Sequence, residues 1–207
     1  MKENDAMGND LLWRNDVFAD IVNAIMFDGK NEVLPEDLEN GVPLSVYNSP
    51  EGVRAMYRDV IKYWKKNKCY LALIAFENQT AIDPDMVFRD IGYLGTAYRD
   101  QLNRGSARYP VFTFVLYSGQ SRWKKWRKLS DCLVISEELK PFFQDYQMNI
   151  VEIRHLSDDE INRFQSVFRN VADILAHFSD GKFNDNSSEE SWDFNPGRNR
   201  LVFRHTG

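Results

Sequence analysis

Cys69-Tyr-Leu-Ala-Leu-Ile-Ala-Phe-Glu-Asn-Gln79 opens as a continuous apolar run and closes on three polar residues. A run apolar at consecutive rather than alternate positions predicts an interior strand covered on both faces. Side chains alternate along a strand, so Leu71, Leu73, Ala75, Glu77 and Gln79 share one face, and Ala72, Ile74, Phe76 and Asn78 the other. Glu77 and Gln79 then lie about 7 Å apart at the C-terminal end of the strand, near enough to act on one small group. A carboxylate next to an apolar run is costly unless a cation or hydrogen-bond donors meet it, so Glu77 needs a partner.

Downstream, Asp83-Pro84-Asp85 reads as N-cap, first-turn proline and first-turn acid of a helix on which Val87, Ile91, Leu94, Tyr98 and Leu102 recur at helical spacing. Arg89 and Tyr93 stand at i and i+4 on that helix. Residues 110–117 predict a second buried strand and residues 149–153 a shorter one. Ser157-Asp-Asp-Glu160 is a capping box ahead of Ile161, Phe164, Phe168, Val171, Leu175 and Phe178, which predicts one continuous last helix. Upstream, Val17, Ile21, Ala24 and Ile25 predict a first helix over 11–28, ending at Asp28-Gly29. Residues 30–52, with Pro35, Gly41, Pro43, Pro50 and Gly52, read as loop and short turns, and residues 53–64 as extended. The sum is an α/β chain with a small mixed central sheet flanked by helices, occupying residues 10–178. Beyond it, 179–207 is a polar C-terminal tail in which Leu201–Phe203 predicts a short edge strand.

The whole chain sets outer bounds. Its 207 residues, 43% apolar and 28% charged, suit one globular domain with an appendage. Tyr70–Phe76 and Val111–Tyr117, the longest apolar stretches, fall far short of the about 20 residues of a membrane helix, so no membrane partner is expected. The first ten residues lack the cationic start and apolar core of a secretion signal, which makes the cytoplasm the expected compartment. Cys69 and Cys132 are the only cysteines and His155, His177 and His205 stand apart, arguing against disulfides and against a cysteine or histidine zinc site. Phosphate-binding glycine loops and the Gly-x-Ser-x-Gly elbow are missing, so no nucleotide cofactor is expected. A net charge of −5 argues against binding to nucleic acid by bulk charge, yet two dense basic stretches exist, Lys62–Lys68 and Arg122–Lys128. In the second, Arg122, Lys124 and Lys125 suit a phosphate-tracking surface, with Trp123 and Trp126 as stacking platforms or buried anchors.

Asp59 lies 18 residues before Glu77, room for a strand to end, turn and return as its antiparallel neighbour with Asp59 alongside Glu77. Two carboxylates converging at a sheet end make a site for a hard divalent cation, Mg²⁺ or Mn²⁺. Each acid also has a plainer reading: a strand-end ion pair for Glu77, an ion pair with Arg58 or Lys62 for Asp59, a cap for Asp83. Asp20, on the first helix, is either a further carboxylate for the metal or a surface acid.

Asp59, then Glu77-Asn78-Gln79 closing a hydrophobic strand, then Asp83-Pro-Asp-Met86 with Arg89 and Tyr93, resembles the recombination-promoting nuclease/putative transposase family of the PD-(D/E)XK nuclease superfamily. The resemblance extends to Asp16 and Asp20, to Tyr109-Pro110-Val111 and to the Leu-Tyr-Ser-Gly turn at 116–119, and covers residues 10–178. It implies a restriction-endonuclease-like fold and a metal-dependent DNA endonuclease, linked to recombination or mobile elements and acting alone or as a homo-oligomer. It also implies Asp59 and Glu77 as metal ligands, with the Asn78 carbonyl as a third oxygen. The superfamily carries lysine two residues after the acid, where this chain has Gln79. Glutamine can orient water or donate to a phosphate oxygen, but it brings no charge and is no general base. The rival expectation is therefore a nuclease fold that binds DNA or protein and cuts nothing.

Overall fold

The computed structural model describes residues 10–41, 44–49, 52–57, 59–105, 107–177, 191–195 and 200–204. Helix α1 (Asn15–Met26) is followed by strands β1 (Leu38–Asn40), β2 (Leu44–Ser49), β3 (Gly52–Tyr57), β4 (Val60–Lys66) and β5 (Cys69–Gln79). Helix α2 (Met86–Arg104), strands β6 (Val111–Tyr117) and β7 (Asn149–Glu152), and helices α3 (Asp158–Ile161) and α4 (Phe168–His177) complete the first of two compact units, Met1–Ala176 and His177–Gly207. The second unit contains a hairpin of β8 (Ser191–Asn195) and β9 (Arg200–Arg204), so the strand expected at Leu201–Phe203 pairs with β8 in a sheet of two.

Asn67 and Lys68, at φ 52° and 65°, make the tight turn that sends β4 back as β5. Two consecutive positive φ values match the right-handed twist of the flanking strands, the usual solution for a two-residue hairpin. From that turn the ladder runs Lys66–Cys69 and Lys65–Tyr70, skips Leu71, and resumes at Trp64–Ala72 through to Val60–Phe76. Leu71 is thus the extra residue of a bulge. On its other edge β5 pairs in parallel with β6, and β6 with β7, giving a mixed five-stranded sheet in the order β1-β4-β5-β6-β7. The antiparallel pair β2–β3 forms a sheet of its own, so residues 30–52 hold more strand than their prolines and glycines suggest.

The alternation read from the sequence divides the core. Ala72, Ile74 and Phe76 join Phe114 and Leu116 against Val17, Phe18, Ile21 and Val22 of α1, with the Phe18 and Phe76 rings 4.5 Å apart. On the opposite face Val115 and Tyr117 meet Met86, Val87 and Tyr93 of α2, while Leu73 and Ala75 pack with Tyr109 and Val111. Each valine, leucine, isoleucine, phenylalanine or methionine among them contributes about 1.5–3 kcal/mol when taken from water.

Three expectations need correction. Helix α2 begins at Met86, and the residues it buries are Met86, Val87, Asp90, Tyr93 and Gln101, whereas Tyr98 and Leu102 are exposed. Its C-terminal half is fastened by polar bonds instead of an apolar stripe: Gln101 exchanges two hydrogen bonds with the Tyr109 backbone, and the Tyr98 hydroxyl accepts from the Val111 N–H. The last helix is two helices. The Ser157–Glu160 capping box forms, but α3 stops at Ile161 and α4 starts afresh at Phe168; Phe178 lies outside the described residues. Finally, the stretch Lys62–Lys68 is a basic surface only in part, with Lys66 and Lys68 exposed and the other two lysines committed. Lys62 is fully buried and donates to the Trp13 carbonyl (2.8 Å), Asn15 Oδ1 (2.8 Å) and Asn40 Oδ1 (2.5 Å), and Lys65 pairs with Glu39.

Candidate active site

Asp59 immediately precedes Val60, whose ladder partner is Phe76, so Asp59 stands across from Glu77 at the end of the β4–β5 hairpin. One Asp59 oxygen accepts the Asn78 N–H at 2.7 Å, taking the place of the next ladder carbonyl. The two acids expected to meet are therefore neighbours, held by hairpin register and by a backbone bond. Glu77 is 1% exposed and belongs to the sheet face that α2 covers.

Among the described residues, a cation that answers Glu77 is Arg89 of α2. Its Nη2 lies 3.4 Å from Glu77 Oε2 and 3.5 Å from the Tyr93 hydroxyl, while its Nη1 is 2.8 Å from Asp83 Oδ2. The i, i+4 spacing of Arg89 and Tyr93 puts both on one helix face, and Tyr93 is buried there. Burial pulls the Arg89 guanidinium toward its neutral form, but the Tyr93 hydroxyl and Asp83 outweigh it and hold its pKa above the ordinary arginine value. Asp83 is fixed in turn, its Oδ1 accepting the Asp85 N–H at 2.9 Å. The cap reading of Asp83 thus holds only in part: this Asp–Pro–Asp turn precedes the helix, and its second oxygen serves Arg89. Sequence periodicity gave no hint of that pairing, because Asp83 lies outside the helix on which Arg89 is counted.

Gln79 ends the strand two residues on. Its carbonyl accepts the Ser118 N–H at 2.9 Å, tying the tip of β5 to the Leu-Tyr-Ser-Gly turn. Its half-buried side chain makes no hydrogen bond among the described residues. In that turn a side chain at Gly119 would overlap the Tyr117 ring, so glycine is required. The segment from 118 to 148 then crosses from β6 to β7 without a long helix, pinned by Trp123, which is fully buried against Tyr117. Glu152 accepts the Trp123 backbone N–H at 2.9 Å and pairs with Arg127, and the Tyr146 hydroxyl donates to Asp90 at 2.6 Å. Trp123 is consequently an anchor and not a stacking platform. Arg122, Lys124 and Lys125 are exposed on this crossover and form no ion pair among the described residues.

Asp20 is a further correction. Its two oxygens accept the N–H groups of Gln165 and Ser166, both at 2.8 Å, and α1 lies against the sheet face opposite Glu77. Its carboxylate satisfies backbone donors in the break between α3 and α4. No group of three or more His, Cys, Asp or Glu able to hold a metal occurs among the described residues. Asp59, Glu77 and nearby backbone oxygens form a sparse all-oxygen set, which fits a hard divalent cation whose remaining positions water fills.

No helix among the described residues is long and apolar enough to cross a membrane. Neither curated proteins nor solved structures yield a match to the chain. The family model described as "Putative transposase, YhgA-like" matches residues 51–183, a span that takes in Asp59, Glu77, Gln79, Arg89 and the whole crossover. That span exceeds half of the sequence, and the chain belongs to this YhgA-like transposase family.

Proposed function

We propose that the protein is a metal-dependent DNA endonuclease of the PD-(D/E)XK type, hydrolysing phosphodiester bonds in a recombination or mobile-element setting. The observation that carries this reading is the placing of Asp59 across from Glu77 at the end of one hairpin, with Arg89 beside Glu77. Asp59, Glu77 and the Asn78 carbonyl would hold Mg²⁺ or Mn²⁺. When bound, such an ion polarises a phosphoryl oxygen and lowers the pKa of its water. Gln79, at the strand tip, offers an amide that orients a water molecule or donates to a phosphate oxygen. Arg89 and Tyr93 supply donors toward the phosphate, and Arg122, Lys124 and Lys125 supply cations for the flanking backbone.

Nicking of supercoiled plasmid with Mg²⁺ tests the reading on the native chain, Asp59→Ala and Glu77→Ala. Each substitution is expected to lower the rate at least 100-fold, since residues that merely brace a metal ligand already cost about 10–100-fold. Equal cleavage by all three proteins rejects the site. One observation favours a second reading, a module that binds DNA or protein without cutting: Gln79 brings neither the positive charge nor the base that lysine would. Binding of plasmid without nicking under any divalent ion supports that alternative.

A further inference from the structure

Resting on the nuclease reading above, we propose that Asp83 is the positioning residue of the site: it holds the Arg89 guanidinium beside Glu77 at a distance that leaves the carboxylate able to take a metal ion. Two unequal distances point to this. Arg89 reaches Asp83 at 2.8 Å and Glu77 at 3.4 Å, so its short, charge-assisted bond goes to the carboxylate outside the site and its long one to the carboxylate inside. Solvent favours the opposite arrangement. Glu77 is 1% exposed and Asp83 27%, and an ion pair gains more where water is excluded. Without a second anchor the guanidinium would close on Glu77 and compete with any cation for the same oxygens.

The anchor is built for this role. Asp83 Oδ1 is fixed by the Asp85 N–H, Oδ2 faces Arg89 Nη1, and Pro84 stiffens the link between them. The Tyr93 hydroxyl, 3.5 Å from Nη2, stands on the third side. Asp83 thus restrains the arginine through one bond and touches neither the metal pair nor substrate.

Calorimetric titration of the full chain with MnCl₂ tests this on four proteins: native, Asp83→Asn, Arg89→Gln and the double variant, with thermal melts alongside. Asp83→Asn is expected to weaken Mn²⁺ binding by about tenfold, the low end of what residues bracing a metal ligand cost when lost. Asp83→Glu retains the carboxylate and is expected to keep most of the native affinity. Once Arg89 is Gln, the Asp83 substitution should have no further effect, because no guanidinium remains to restrain. Binding by Asp83→Asn equal to native, or a loss that persists in the double variant, overturns the positioning role while leaving the metal site standing. Failure of the native chain to bind Mn²⁺ overturns both. Should Asp83→Asn alone not fold, Asp83→Ser takes its place in the titration: affinity about tenfold below native supports the inference, and affinity equal to native overturns it.

Discussion

Lys62 is a cation in the core whose three acceptors are all neutral oxygens. Its ammonium also lies 5.3 Å from the Trp13 ring centroid and 5.6 Å from that of Phe18, so its positive charge is met by dipoles and ring faces. Burial pulls its pKa down to about 8. Between about pH 8 and the ordinary lysine value of 10.5 the unfolded chain therefore holds a proton that the folded chain has released. Stability from this group rises with pH across that window, with a slope no steeper than about 1.4 kcal/mol per pH unit, that of one proton. Below the window both states are protonated and the cost of burying the charge is present in full. Urea melts of the native chain and Lys62→Met at pH 7.5, 8.5 and 9.5 check the sign: the native-minus-variant difference should climb with pH. The same residue marks a limit of sequence reading. Within Lys-Tyr-Trp-Lys-Lys-Asn-Lys nothing local separates Lys62 from its neighbours; what buries it is the pairing of β4 with β1, which aligns Lys62 with Asn40.

Among the helices and strands, what could be read was what depends on neighbours in sequence. The apolar run of β5, its two faces, and the return of a strand carrying Asp59 past Glu77 all follow from period-two alternation and hairpin length. The break between α3 and α4 does not, because its cause lies on α1. Asp20 accepts the Gln165 and Ser166 N–H groups, and the Ser166 hydroxyl accepts the Phe168 N–H at 3.2 Å, so a new helix start outcompetes a continuous one. Asp20→Ala is expected to destabilise the fold by about 1–2 kcal/mol, the value of a lost cap, and to leave plasmid nicking per folded molecule unchanged. Denaturation curves alongside the nicking assay separate this from the metal-ligand expectation, under which activity would fall with stability intact.

For the molecule as a whole, its acidity and the DNA binding proposed for it are reconciled by location. The chain carries 26 basic and 31 acidic residues, so the attachment proposed for it to a phosphate backbone has to be local. The cations of the crossover differ in their commitments: Arg127 is paired with Glu152 and Lys128 faces Asp145, while Arg122, Lys124 and Lys125 have no ion pair among the described residues. Replacing Lys124 and Lys125 together by alanine is expected to weaken duplex binding and to flatten the plot of log K against log salt by about 2, close to 0.9 for each phosphate left without its cation. Fluorescence anisotropy over a salt series measures the slope, and an unchanged slope removes these two lysines from the interface. Sequence pointed to the basic stretch but not to its division, since Trp123 and Arg127 are taken inward by Glu152 from a strand 25 or more residues away.

The bulge at Leu71 sets which changes in chain length the site can survive. Between Asp59 and Glu77 the ladder is unbroken except at this one residue, so gaining or losing a single amino acid within 60–64 or 72–76 turns Glu77 to the wrong side of the sheet. Deleting Leu71 itself merely straightens the strand and keeps every pairing beyond it. Descendants of this sequence can therefore shorten here by one residue and keep Asp59 across from Glu77, while the same event a few positions on in β5 separates them.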